Sequence, residues 1–416
     1  MLTTKNNGQA VGAAMTTDPA ARLQRQVRWM TYLMFFVFAM TTDAVGVIIP
    51  EVMAQYQLTL FQASAFHYVP MVAIGIAGLL LGRLADKLGR KTLIIAGLAL
   101  YAVACYAFMA GDSALFFILL MGLCGLAIGM FKTAALALIG DISDDSLSHT
   151  RTMNKVEGFF ALGAIAGPAL VTLMIAASIH WKQLYLVAGL LCTVLVIMAA
   201  RLPYPPYQAS SSQVSFRQSL ALLKDRYALG FSLAIALYVG CEVAIFVWLP
   251  TLLAGYDGRF GYLALHAITV FFILRAAGRF LAGIILQRFC WSSVMALFTL
   301  AIFACFALSM LGGKAVALWL MPLSGLFMSM IYPTLNSKGI SCFARQQHGA
   351  VAGLILAFTA LSAALAPALM AIIGDIAGDV SAGFYLATAF AALLAAAMVY
   401  NWLAQPAKQR LARNQQ

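Results

Sequence analysis

Long apolar runs separated by short polar connections fill almost the whole 416-residue chain. About 20 apolar residues cross a bilayer as a helix. That ruler predicts spans at 31–53, 62–82, 92–111, 114–140, 153–177 and 182–201, then at 227–254, 262–287, 291–311, 314–337, 347–373 and 380–404. Backbone polar groups find no water in hydrocarbon, so the spans are expected to be helices. The first 27 residues are polar and hold no apolar core of a signal peptide, so they read as a cytoplasmic tail. Pro203, Pro205, Pro206 and the serines 210–212 mark the longest internal linker. The expected organisation is a tail at 1–30, a six-helix bundle at 31–201, a linker at 202–226, a second six-helix bundle at 227–404 and a tail at 405–416. Gly82, Leu84, Lys87 and Leu88 are echoed 201 positions later by Gly283, Ile285, Arg288 and Phe289. The fold class is therefore an all-α membrane protein of twelve transmembrane helices in two pseudo-symmetric bundles, an arrangement that transporters use with the substrate site between the halves.

Composition agrees. Apolar residues make up 63% of the chain and charged ones 10%, against about a quarter charged in soluble domains. A soluble enzyme, a disordered chain and a small secreted scaffold are all excluded. The net charge of +12 comes from Lys and Arg clustered between the runs. Twenty of them fall on one side of the predicted topology and three, Lys182, Arg259 and Lys314, on the other. The bias places both termini in the cytoplasm of a bacterial-type inner membrane, with lipid and not nucleic acid as the basic surface's partner. The seven cysteines include no C-x-x-C pair and read as packing residues, not as disulfides or metal ligands. No P-loop, H-E-x-x-H or G-x-S-x-G pattern occurs, so neither an enzyme nor direct ATP coupling is expected. No cofactor is expected beyond a coupling ion, proton or sodium.

The run Gly82-Arg83-Leu84-Ala85-Asp86-Lys87-Leu88-Gly89-Arg90-Lys91 resembles the loop signature between the second and third spans of the major facilitator superfamily. The resemblance implies that Asp86, with Gly82, Gly89 and Arg90, forms a latch holding the outward-facing state, and that Arg279 belongs to the same conformational machinery. Tyr238-Val239-Gly240-Cys241-Glu242, Gly278-Arg279-Phe280, Tyr332-Pro333-Thr334 and Gly374-Asp375 resemble the fucose–proton symporter group within it. That group carries a carboxyl on its fourth helix where this chain has Lys132; Asp43 keeps the acidic residue on the first. Gly163-Ala164-Ile165-Ala166-Gly167-Pro168 resembles the antiporter signature of drug-efflux facilitators, though Gly-Pro in a helix also serves close packing.

Charges at mid-membrane cost about 2.5–3.5 kcal/mol on insertion scales and usually face a cavity with a partner. Asp43 lies about 18 Å into its span, Glu242 about 22 Å and Arg275 about 20 Å, all near the midplane. Asp43 is the first candidate for proton carrier, Glu242 the second and Glu157 a third. Lys132 is the favoured partner of Asp43. Lys132 and Arg275, with Asn154, Tyr238, Trp248 and Asn336, are candidates for holding a small-molecule substrate; Arg275 fits either an anionic group or Glu242. His67 is expected at the external membrane edge. The reading is a secondary transporter, functional as a monomer, that moves a sugar or sugar derivative with protons by alternating access. Efflux of amphipathic drugs, transport of an organic anion and a non-transporting sensor stand as alternatives.

Overall fold

A computed structural model describes residues 19–141, 146–204, 222–344, 347–408 and 410–411, with the side chains of 19–21, 78–88, 137, 140, 141, 146–150, 283 and 349 outside the described set. Among the described residues every regular element is helical: α1 (Pro19–Thr42), α2 (Val45–Tyr56), α3 (Leu60–Leu88), α4 (Arg90–Ala107), α5 (Ala114–Asp141), α6 (Ser146–Ala176) and α7 (Gln183–Arg201). After a 3₁₀ turn at Leu222–Lys224 come α8 (Arg226–Leu253), the short α9 (Gly261–Leu265), α10 (Ala267–Arg288), α11 (Trp291–Met328), α12 (Ile331–Ser341), α13 (His348–Ala377) and α14 (Ser381–Ala404).

Twelve crossings follow from these helices. The first is α1 and α2 together, interrupted at Asp43 and Ala44. The long run of α11 turns back at Gly313, where φ is +66° and ψ −162°, a conformation open essentially to glycine alone. The ninth span ends there, and the tenth runs on through α12. The first helix begins at Pro19, well ahead of the expected span start at 31. The ruler measures hydrocarbon thickness, and the polar turn bearing Arg22, Arg25 and Arg28 is helical without being apolar.

Glycine sets how closely the helices approach. A Cβ on Gly163 would lie 2.2 Å from the Phe36 carbonyl oxygen, and one on Gly167 2.0 Å from that of Met40. The segment that resembles an efflux signature thus brings α6 against the backbone of α1, and van der Waals packing between helices needs such small residues. Across the two halves, α2 meets α8, α3 meets α13 and α6 meets α10. A Cβ on Gly46 of α2 would stand 1.8 Å from the carbonyl oxygen of Phe246 in α8. Leu60 at the start of α3 touches the end of α13 at Gly374, and Thr172 of α6 donates to the Leu265 carbonyl at 3.4 Å. These contacts share one end of the bundle, the end at which α3 begins and α13 stops.

The C-terminal segment is clasped to the opposite end of α8. Arg410 Nη1 is 2.8 Å from Asp225 Oδ2, its Nε donates to the Cys342 carbonyl at 3.0 Å, and its guanidinium lies 4.4 Å from the Phe343 ring centre. Asp225 also caps α8 by accepting from the amides of Tyr227 and Ala228. Burial works to raise the Asp225 carboxyl, but Arg410 and the two amides outweigh it and hold it below the usual carboxylate range. A depressed carboxyl contributes stability in full above its unfolded value, about 4, and loses it as pH falls through the folded one. Arg410→Ala should therefore expose residues 405–416 to limited proteolysis at neutral pH, and acidification below pH about 4 should do the same to the wild-type protein. Equal cleavage of wild type and variant at pH 7 would show the clasp to be inert.

Candidate functional site

The seam between the halves carries the charges. Asp43 sits where the first span is interrupted, its amide still bonded to the Ala39 carbonyl at 3.0 Å. Its side chain is buried, and Oδ2 has no hydrogen-bond partner. Non-helical backbone at membrane depth is tolerated only where protein or a cavity surrounds it, which matches this position. Facing it, α8 presents Tyr238 and Glu242 one turn apart, and the Tyr238 hydroxyl donates to Glu242 Oε1 at 2.8 Å. The same hydroxyl lies 3.1 Å from the Met328 carbonyl, at the interruption of the tenth span between α11 and α12. Arg275 of α10 forms an ion pair with Glu242.

One turn along α10, Arg279 Nη1 is 3.5 Å from Glu157 Oε2. That pair crosses from the C-terminal to the N-terminal half. Arg275, Arg279 and the α6 residues Phe160, Ala161 and Ala164 line a cavity of about 10 Å³, room for about one water. A solute enters this part of the seam only when the halves separate.

The expected pairing of Asp43 with Lys132 is not formed. No ion pair joins them among the described residues; instead the Lys132 ammonium lies over the Phe38 ring, 4.8 Å from its centre, and 5.9 Å from that of Phe35. Both rings stand on α1 before the interruption, so the lysine finds an aromatic face before it reaches the carboxylate. Arg275 and Glu242 of the opposite half, as well as Lys132, bear on the Asp43 carboxyl. Cations of both halves therefore surround Asp43, and the one that is ion-paired, Arg275, is bound to Glu242.

The other candidates separate. Tyr238 is buried within the charge cluster. Trp248 is fully buried and donates its indole N–H to the Pro367 carbonyl at 3.1 Å, so it packs α8 on α13 and presents no free polar group to a solute. Asn154 is exposed near the start of α6, and Asn336 is half-buried on α12 beyond the interruption. His67 is not at the membrane edge. It is buried at the seam, its ring edge-on to Phe246 with centres 5.5 Å apart, and it lines a second small cavity with Thr41, Thr42 and Tyr185. Of the expected latch, Gly82 and Asp86 fall within α3, and the Asp86 side chain lies outside the described residues. Gly89 takes φ +85° between α3 and α4, and Arg90 opens α4. Sequence reasoning did not place the contact made by Asp375, whose carboxylate accepts from the Leu60 and Phe61 amides at 2.8 Å each. A Gly-Asp pair at a helix end carries no sign of a partner 315 positions away.

Comparison with known proteins agrees with this architecture. The sequence profile of the Major Facilitator Superfamily matches residues 31–367. The L-fucose-proton symporter of Escherichia coli (strain K12) is 26% identical over 392 residues, covering 83% of this chain and 86% of its own. A glucose/galactose transporter of Brucella abortus biovar 1 is 23% identical over 364 residues, 83% of this chain and 87% of its own. Among solved structures, a mutant form of the nucleoside transporter NupG superposes with a TM-score of 0.74 at 16% identity, over 91% of this chain and 99% of that one.

Proposed function

Since the chain belongs to the major facilitator superfamily, and so is a multi-pass secondary transporter and not an enzyme, we propose that it takes up a neutral sugar or sugar derivative together with protons. The observation that carries this reading is the seam itself. Lys132, Arg275 and Arg279 are matched in number by Asp43, Glu157 and Glu242, and two of the three cations are already ion-paired. An anionic solute would have to displace a carboxylate to reach Arg275 or Arg279, which leaves it only Lys132 on its aromatic face, whereas a polyhydroxylated neutral one needs only donors and acceptors. Asp43 is the group with an unmet buried oxygen, and a proton meets that need. The names of the curated relatives, a fucose–proton symporter and a glucose/galactose transporter, point to the same substrate class.

The Gly163 and Gly167 contacts with α1 serve close helix packing whichever way the solute moves. Residues 31–201 and 227–404 form the two moving bodies in this proposal, and one chain holds every group of the site. The twenty-to-three distribution of Lys and Arg supports an orientation with both termini in the cytoplasm. The end sealed by Gly46, Leu60 and Gly374 then faces outward.

The test is uptake of labelled hexoses and deoxyhexoses into cells or proteoliposomes, with organic acids in parallel. Accumulation of a neutral sugar that follows an imposed inward proton gradient is the expected result. Accumulation confined to organic acids, or dependent on sodium alone, would overturn the proposal.

A further inference from the structure

The contact that closes the outer end has a defined chemistry. The α3 N terminus has four amides without partners in its own helix, as any helix does. Two of these four, the amides of Gln62 and Thr59, are met locally: Gln62 N donates to Thr59 Oγ1 at 3.3 Å. The Gln62 side chain returns to the Thr59 amide at 3.0 Å, completing a capping box. The amides of Leu60 and Phe61 are met from the other half. They donate to Asp375 Oδ1 and Oδ2, at 2.8 Å each. Both carboxylate oxygens are engaged, and the negative charge sits at the positive end of the α3 dipole. Gly374 beside it lets the two chains close: a Cβ there would meet Leu60 Cδ1 at 2.6 Å.

We propose that Asp375 is the outer latch of the transport cycle, a carboxylate on the eleventh span that grips the exposed amides of the second span when the outer end is shut and lets go when it opens. This rests on alternating access and on the orientation proposed above, but not on the solute or the coupling ion. Asp375 and Phe61 already border water, and when the halves part at this end the two amides and the carboxylate exchange their mutual bonds for bonds to water. Charge-assisted hydrogen bonds keep a net value even against water. Their loss should move the balance between outer-closed and outer-open forms by about tenfold, the change produced by about 1.4 kcal/mol.

The second span can be altered without removing its helix. Leu60 is the first helical residue, the position where proline is best tolerated. Thr59 before it is extended, with φ −69° and ψ 165°, as a residue preceding proline prefers. Leu60→Pro removes one donor to Asp375, and Leu60→Ala removes the side chain but keeps the donor.

Spin labels at Gln55, exposed after the first span, and at Tyr262, exposed before the eighth, report the separation of the halves by electron–electron resonance in nanodiscs. The background carries Cys290→Ser, because Cys290 is the exposed native cysteine. Gly46→Leu, whose side chain collides with the Phe246 carbonyl, supplies the open reference distance. Asp375→Ala should raise the long-distance population about tenfold, Leu60→Pro, which leaves the Phe61 amide bonded, by less, and the two together no more than Asp375→Ala alone. Leu60→Ala should raise it less than Leu60→Pro, and Asp375→Asn, which keeps an acceptor, should fall between wild type and Asp375→Ala. A wild-type distance distribution in Asp375→Ala or Asp375→Asn would overturn the latch. Equal effects of Leu60→Ala and Leu60→Pro would overturn it as well, by assigning the closure to packing. Sugar uptake plays no part in this readout, so failure of the substrate reading and failure of the latch are told apart.

Discussion

Asp43→Asn should abolish uphill accumulation of the transported solute while leaving exchange of labelled for unlabelled solute across the membrane. The amide fills the same space as the carboxyl but cannot load and release a proton. In the structure Asp43 lies at an interruption of the first span, with one oxygen buried and unpartnered. A buried polar oxygen without a partner costs about 1–3 kcal/mol, and the cost as an anion is larger. Arg275, in the other half, exerts a positive influence on it, as Lys132 does from its own half. When the halves rock, that influence changes, and so does access to water. Binding and protonation can then bias the two forms only through this difference between them. An unchanged inside-to-outside ratio at steady state in Asp43→Asn would remove it as carrier. Loss of exchange together with accumulation would assign it instead to binding or to structure.

Asp43 was legible in the sequence because the bilayer makes any ionisable residue at mid-span conspicuous. The same physics gave the twelve spans, since length and apolarity are properties of each segment alone. What escaped were the pairings. Lys132 and Asp43 are both plain from the residue string, yet whether they touch depends on the rotation of α5 about its axis, and here that rotation carries the ammonium onto Phe38. The Glu242–Tyr238 bond was within reach of spacing, because residues four apart share a helix face. The link from Glu157 to Arg279 and the grip of Asp375 on α3 join residues in different halves. Hydropathy carries no record of such contacts, since they depend on which end of the bundle is closed. The glycines show the same divide: the sequence displays Gly163 and Gly167, but their partner is the backbone of α1, and backbone has no signature of its own.

Glu242→Gln should lower stability by about 3–5 kcal/mol, the cost of leaving one member of a buried ion pair without its partner. Arg275 is the stranded member: it is largely buried beside Glu242, its Nε already lacks a hydrogen-bond acceptor, and no other ion pair is formed to it among the described residues. Arg275→Met should cost a similar amount by stranding the carboxylate. The double replacement Glu242→Leu with Arg275→Met removes both charges of the pair and leaves Arg279 in the cavity wall with its own partner Glu157. Buried pairs replaced by well-packed apolar residues often keep or gain stability, so the double variant should recover most of what either single variant loses. Tyr238 does not oppose this, because its hydroxyl still has the Met328 carbonyl within 3.1 Å as an acceptor. Thermal unfolding in detergent, read as a double-mutant cycle, measures the recovery. Transport separates from stability in the same set. The recovered double variant lacks the Arg275 charge that acts on Asp43, so it should fold and still fail to concentrate solute. A double variant that accumulates solute normally would show that the pair only joins α8 to α10 and that protons are coupled elsewhere.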